Sequence, residues 1–247
     1  MLHHEISGNG KKPLVLLHGF MENTTIWNEM EAHLSKDFTL IKIDLPGHGK
    51  SKVYQEIHTV ELMAEKVKEV IDALKLEKIN LLGHSLGGYV SLAFAEKFPE
   101  ILESMTLFFS TTVAGDEEKK AIRKRSIAVI DENFETFVKT SIPNLFSNNE
   151  KDILEGKIEL AKNIAKSTNK EGGKAAQLGM AERPDRTEIL ENLDAKILII
   201  AGKYDNAVKT ENLLKIIPEK TNIKTYVLDC GHNGHWEKPT ICAEIIN

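Results

Sequence analysis

A serine between two glycines stands where a strand pattern ends and a helix pattern begins. Residues 83–87 read Gly-His-Ser-Leu-Gly, after an apolar run at 79–82 and before a helical pattern that starts at Leu86. A turn this tight strains the serine backbone into positive φ and leaves no room for side chains two residues away. The turn therefore presents the Ser85 hydroxyl as a candidate nucleophile, facing the free N–H groups of the new helix. The alternative is a serine that merely serves as a small turn residue.

A serine hydroxyl needs a histidine to accept its proton and a carboxylate to orient that histidine. Asp205 follows the apolar run 197–201, and His232 follows the run 224–228. Because parallel strands end at one edge of their sheet, we expect the two side chains to meet in one crevice with Ser85. The sequence thus supplies a candidate Ser-His-Asp triad.

Each assignment has a competitor. Asp205 could serve only as a cap of the following turn. Two other aspartates near strands are weaker candidates for the acid, because Asp194 precedes its strand and Asp229 follows one too closely. His235 competes with His232 for the role of base. The two histidines could also share a helix face as metal ligands, but no Cys or carboxylate cluster completes such a site, so we expect no metal.

Short apolar runs rich in β-branched residues alternate with helical periodicity along the chain. This alternation predicts an α/β fold with a mostly parallel central sheet and helices on both faces. Helices are expected at 25–34, 60–74 and 86–98. The predicted strands are 14–17, 39–43, 79–82, 105–109, 197–201 and 224–228, with 2–6 as an outer strand.

The strand signal stops between residues 111 and 193, which predicts a helical cap, or lid, inserted into a core of 1–110 and 194–247. Helical segments are expected at 117–130, 134–140, 152–165 and 174–181, punctuated by Pro143, Gly172-Gly173 and Pro184. The basic stretches 119–120 and 123–125 are interpreted as a solvated helix face. The apolar positions of the insertion either line an acyl pocket or bury the lid: Ile127, Ile130, Phe134, Phe137, Ile142, Leu145 and Phe146.

Composition restricts the partners. The 247 residues carry a formal net charge of −5, with 28% charged residues of mixed sign. This charge balance indicates no basic surface that would bind nucleic acid or an anionic membrane. No apolar run reaches transmembrane length. The start of the chain lacks a signal-peptide pattern, and Cys230 and Cys242 are expected to be free thiols, so we predict a cytoplasmic protein with a small-molecule partner. The oligomeric state is not indicated.

Four further motifs carry a resemblance. They are His-Gly-Phe at 18–20, Asp-Leu-Pro-Gly-His-Gly-Lys-Ser at 44–51, Gly202-x-x-Asp205, and His232-x-x-x-x-Glu237-x-Pro239. With the serine turn and the order Ser85, Asp205, His232, the chain resembles the α/β-hydrolase superfamily, and in particular its small cytoplasmic serine esterases. The resemblance implies an oxyanion hole made by the backbone N–H groups of Phe20 and Leu86.

The resemblance implies a serine hydrolase that cleaves small or medium carboxylic esters through an acyl-Ser85 intermediate, without a cofactor. Lactones, thioesters, amides and C–C bonds stay open as substrates, because the same triad serves all of them. A ligand receptor or signalling protein that keeps the triad but has negligible turnover is the alternative from another class.

Overall fold

The computed structural model describes residues 1–34 and 36–247, and its centre is a seven-stranded sheet. The strand order is β1-β3-β2-β4-β5-β6-β7; β1 runs antiparallel to β3, and the other neighbours are parallel. The predicted fold class is confirmed. The strands are β1 His4–Ser7, β2 Lys12–Leu17, β3 Phe38–Ile43, β4 Ile79–His84, β5 Leu102–Phe108, β6 Lys196–Gly202 and β7 Ile223–Leu228.

Helices connect the strands. They are α1 Asn28–Glu31, α2 Val60–Ala73, α3 Leu86–Lys97, α4 Glu117–Ser141, α5 Glu155–Ser167, α6 Lys170–Glu182, α7 Glu188–Asn192, α8 Thr210–Leu214, α9 Gly234–Glu237 and α10 Pro239–Ile246.

The core lies on both faces of the sheet because successive strand residues point to opposite sides. In β2, Val15 joins the apolar cluster that includes α2 and α3. Its neighbour Leu16 joins the second cluster, which includes Met30 of α1 and Ala243 of α10. Both faces are therefore covered, as a mostly parallel sheet requires.

The first predicted helix, 25–34, is shorter than expected. The chain forms a 3-10 turn at Thr24–Trp27, and α1 then ends at Glu31. The Asn23 side chain accepts the N–H of Thr25 and so starts the turn. Ile26, Trp27 and Met30 are buried, so the apolar period was interpreted correctly although the helix length was not.

The segment between β5 and β6 contains α4 to α7, and no strand occurs among its described residues. Asn133 interrupts α4 with non-helical φ of −154° and ψ of 82°, so the predicted gap between 130 and 134 is a kink. Gly172-Gly173 was predicted to separate two helices, but both residues lie inside α6. An added Cβ on Gly172 would lie 2.2 Å from the carbonyl oxygen of Gly47, so this glycine permits a close approach. The division into core and cap stays a prediction.

Cys230 and Cys242 are free and buried. Burial raises the pKa of both thiols, to about 12 for Cys242. Within the described ranges, no helix is long and apolar enough to cross a membrane.

Candidate active site

Ser85 occupies the sharp turn between β4 and α3, with φ of 49° and ψ of −108°. The backbone is tightly packed around it. An added Cβ on Gly83 would lie 2.2 Å from the Gly87 carbonyl oxygen, and one on Gly87 would lie 2.3 Å from that of Leu17. Any side chain at either glycine would clash with backbone. The positive φ at a non-glycine residue therefore belongs to a turn that its surroundings enforce.

Asp205 and His232 follow β6 and β7 and form a buried hydrogen-bonded pair. His232 Nδ1 lies 2.7 Å from Asp205 Oδ2. The other carboxylate oxygen accepts the N–H groups of Ala207 and Val208 at 2.7 and 2.8 Å. Asp205 therefore both caps its turn and orients the histidine. Because a carboxylate only accepts, Nδ1 carries the proton, and in the neutral ring Nε2 is free to act as a base.

Burial disfavours a charged His232, but the charge and hydrogen bond of Asp205 outweigh it, with smaller contributions from Glu22 and Glu237. Together they raise the pKa of His232 above its ordinary value. Ser85 and His232 line the same cavity. Among residues 1–34 and 36–247, no hydrogen bond joins the Ser85 hydroxyl to His232, and such bonds often tighten only when substrate is bound.

The loop that carries His232 is fixed by Glu237. The Glu237 carboxylate accepts the N–H groups of Gly231 at 2.8 Å and of Asn233 at 3.1 Å, which flank His232. It also accepts the N–H of Ser147 at 3.1 Å. Burial raises the pKa of Glu237, although these three hydrogen bonds act to lower it. The spacing from His232 to Glu237 thus has a structural reason.

His235 lies on α9, fully buried, with its ring centroid 5.9 Å from that of Trp27 and 4.4 Å from that of Trp236. Neither ring nitrogen has a hydrogen-bond partner in the described part of the chain. Burial lowers the pKa of His235 well below its ordinary value, so its ring is neutral. The histidine that reaches Asp205 is His232.

Two other aspartates near strands, Asp194 and Asp229, are at the surface. Asp194 is exposed, and Asp229 forms an ion pair with Lys203 at 3.1 Å. His232 precedes α9, so His232 and His235 do not share a helix face. Residues 1–34 and 36–247 contain no group of three or more His, Cys, Asp or Glu side chains arranged to hold a metal ion.

The backbone N–H of Phe20 lies on the loop after β2, and that of Leu86 belongs to the first residue of α3, directly after Ser85. Within the described ranges, neither N–H donates a hydrogen bond to another protein group. The next residue after Phe20, Met21, has φ of 58°, so this loop also holds a backbone conformation that is uncommon for a side-chain-bearing residue. Both donors are therefore available to an incoming oxygen atom.

A buried pair that the sequence analysis missed, Glu22 and His84, links three parts of the site. Glu22 Oε2 accepts the N–H of Gly19 at 2.6 Å and lies 2.8 Å from His84 Nδ1. His84 Nε2 lies 3.0 Å from the carbonyl oxygen of His232. Both ring nitrogens of His84 therefore face oxygen acceptors. The pair ties the loop of Phe20, the serine turn and the His232 loop together.

Replacing Glu22 with Gln is expected to lower the free energy of unfolding at pH 7 by about 3 kcal/mol, because the Gly19 N–H and His84 Nδ1 lose the buried negative charge that they contact. Burial opposes the charged carboxylate, but the charge and hydrogen bond of His84 lower the pKa of Glu22 to about 2 from the ordinary 4.5. This carboxylate therefore stabilises the fold fully above pH 4.5, and its contribution is lost as the pH falls towards 2. Urea unfolding at several pH values measures the difference from wild type.

The exposed Glu56 provides the control, since Glu56→Gln removes the same charge from the surface. The expected difference between Glu22→Gln and wild type is largest at neutral pH and shrinks in acid. A constant difference across the pH range would contradict the assigned ion pair.

The cavity above Ser85 has a volume of about 190 Å³. Phe137, Ile142 and Leu145 of the segment between β5 and β6 contribute to its wall, whereas Ile130 and Phe146 are buried in the core. The lining residues are Phe20, Met21, Glu22, His84, Ser85, Arg123, Phe137, Ser141, Ile142, Leu145, Gln177, Met180, Ala207 and His232.

One basic stretch was interpreted incorrectly. Residues 123–125 were expected to form a solvated face of α4, and Lys124 and Arg125 are exposed. Arg123, however, turns inward and lines the cavity. A stretch of three adjacent basic residues spans most of a helical turn, so one of them can face the interior.

Sheet, serine turn and oriented histidine together define an α/β hydrolase. The family model for the alpha/beta hydrolase fold matches residues 12–239, and the chain belongs to this family. A Bacillus subtilis protein provisionally named 2-succinyl-6-hydroxy-2,4-cyclohexadiene-1-carboxylate synthase is 29% identical over 97% of this chain and 90% of its own length.

Two further relatives carry other activities in their names. A 2-hydroxy-6-oxononadienedioate/2-hydroxy-6-oxononatrienedioate hydrolase of Pseudomonas putida is 26% identical over 96% of this chain and 87% of its own length. The solved structure of a thermophilic esterase from Thermogutta terrifontis, with malate bound, matches with a TM-score of 0.92 and 32% identity. That match covers 99% of this chain and 91% of the esterase chain. The chain is thus a hydrolase of this family.

Proposed function

We propose that this protein is a serine hydrolase that cleaves small carboxylic esters through an acyl-Ser85 intermediate. The observation that carries the proposal is the 2.7 Å hydrogen bond between His232 and Asp205, with His232 and Ser85 lining one cavity. The likeness to the Thermogutta terrifontis esterase supports an ester as the substrate.

In the proposed reaction, the Ser85 oxygen attacks the ester carbonyl carbon while its proton passes to His232 Nε2. The carbonyl oxygen becomes an oxyanion that accepts the N–H groups of Phe20 and Leu86. The carbon–oxygen bond to the alcohol then breaks, and the alcohol leaves with the proton from His232. A water molecule, deprotonated by the same nitrogen, releases the acid and restores Ser85. Every step uses groups of the chain, so the proposal requires no cofactor.

Residues 111–193 serve in this proposal as the cap of the site. Their side chains Phe137, Ile142 and Leu145 supply apolar wall, which suits an acyl chain. A volume of about 190 Å³ is below the range of about 300–1,000 Å³ that holds drug-sized ligands, which favours a small substrate. The two free thiols suit a reducing compartment, and we place the protein in the cytoplasm.

The test is hydrolysis of p-nitrophenyl esters of increasing acyl length, combined with labelling by a fluorophosphonate probe. We expect turnover that is highest for short acyl chains, and one phosphonylated residue, Ser85, identified by mass spectrometry. Labelling at another residue would overturn the assignment of the nucleophile. Labelling of Ser85 without turnover of any ester would instead favour a receptor, or a hydrolase of lactones, thioesters, amides or C–C bonds.

A further inference from the structure

The cavity wall contains a guanidinium group that the proposed reaction does not use. Arg123 projects from α4 into the wall that also holds Ser85 and His232. Its Nη1 donates to Gln177 Oε1 at 3.1 Å and lies 3.3 Å from Met180 Sδ. A guanidinium has five N–H donors, so most of its donors are left without a protein acceptor in the described ranges.

The two histidines of the cavity wall each contact a carboxylate of their own. His84 is paired with Glu22 at 2.8 Å, and His232 is paired with Asp205 at 2.7 Å. Arg123 forms no ion pair with any carboxylate of the described residues. Arg123 is thus the one basic side chain of the cavity wall that lacks a carboxylate partner among the described residues.

A second arginine intensifies this positive charge. Arg183 stacks on the ring of Tyr89 at 4.0 Å from its centroid, and it donates to the carbonyl oxygens of Met180 and Val113. Its Nη1 and Nη2 groups are therefore directed to backbone carbonyls, and its charge interacts with the Asp185 carboxylate. Burial lowers the pKa of Arg123, and the charge of Arg183 lowers it further, while Tyr89 opposes both.

Arg186 shows the contrast. Like Arg183, it follows α6, and it forms ion pairs with Glu61 at 2.6 Å and with Glu96 at 2.8 Å. The charge of Arg186 is therefore neutralised by carboxylates of α2 and α3, as expected of an arginine that stabilises the fold. Arg123 has no such carboxylate partner among the described residues, and it lies at the wall of the cavity above Ser85.

We propose that Arg123 binds a free carboxylate of the substrate, so that the enzyme acts on esters that also carry one carboxylic acid group, such as half-esters of small dicarboxylic acids. The planar guanidinium fork matches a carboxylate through two parallel hydrogen bonds. A singly charged group suits the site, because the Glu22 carboxylate lines the same cavity and disfavours a phosphate dianion. The ester specificity rests on the proposed function, whereas the binding of the carboxylate does not.

The kinetic test compares monomethyl glutarate with methyl glutaramate, in which a neutral amide replaces the carboxylate. For the wild type we expect kcat/KM to be about 10- to 100-fold higher for the acid, the range of a charge-assisted hydrogen bond. Arg123→Gln should remove this preference, mainly by raising KM for the acid. Arg123→Lys keeps the positive charge and should retain part of the preference for the acid.

Arg125→Gln is the matched control, since it removes the same charge from the exposed side of α4. It should keep the preference for the acid. Equal kcat/KM for acid and amide in the wild type, or an unchanged preference in Arg123→Gln, would overturn the proposal while the esterase proposal stands.

A binding measurement separates the two proposals. Calorimetric titration of the Ser85→Ala variant with glutarate should show binding, and the additional substitution Arg123→Gln should weaken it about tenfold or more. If no ester is hydrolysed but glutarate binding depends on Arg123, the carboxylate site is supported and the esterase proposal fails. If glutarate binds equally with and without Arg123, the carboxylate site is refuted.

Discussion

Ser85→Ala is expected to lower kcat for short esters by about 10⁴- to 10⁶-fold, with the protein still folded. In the proposed mechanism the Ser85 hydroxyl oxygen forms the acyl bond, and among the described residues of the cavity wall no other nucleophile is held in a strained turn. The Ala side chain fits the same backbone, so the loss should appear in kcat. Steady-state kinetics with a p-nitrophenyl ester, beside thermal unfolding of both proteins, provide the measurement.

Ser91→Ala gives a matched control on α3, the helix that follows Ser85. Ser91 is buried and donates to the Gly87 carbonyl oxygen at 2.9 Å, but it does not line the cavity. Its removal tests whether packing behind the serine turn explains the loss, and kcat should change by less than about tenfold. Comparable activity of wild type and Ser85→Ala would refute the acyl-enzyme mechanism.

The fold and the triad candidates were predictable because their signals are local. Each strand is a short apolar run, and Ser85, Asp205 and His232 each follow one directly. Once the sheet is mostly parallel, its topology places these strand ends at one edge. The roles of the three residues, and of the N–H groups of Phe20 and Leu86, stay predictions.

The remaining features depend on contacts that no local pattern encodes. Glu22 and His84 are 62 positions apart, and their pairing follows only from the register of the folded loops. Gly172 and Gly173 lie inside α6, where Gly172 approaches Gly47 closely, a contact that the interpretation of a Gly-Gly pair as a break does not anticipate. Arg123 was assigned to solvent because its neighbours are charged, while its direction is set by the packing of α4 on α6.

The contacts between residues far apart in the sequence have one consequence for the site. Glu22 joins Gly19 to His84, and His84 joins the carbonyl of His232, so the loops of Phe20 and His232, the proposed oxyanion donor and base, share one buried hydrogen-bonded pair. Pre-organised groups of this kind spare the site from reorganising during the reaction. Arg123 lies outside this network, which leaves its charge for a ligand.

His232→Gln is expected to lower kcat by about 10⁴-fold or more, whereas His235→Gln should retain most of the activity. His232 is bound to Asp205, while the buried His235 ring is neutral and has no hydrogen-bond partner among the described residues. A second measurement concerns pH. Because the base must be neutral, and the pKa of His232 is raised, activity should fall on the acid side of a midpoint above the ordinary value of 6.5. Asp205→Asn should move this midpoint to lower pH and reduce kcat. If His235→Gln abolished activity in a folded protein and His232→Gln did not, the roles of the two histidines would be reversed.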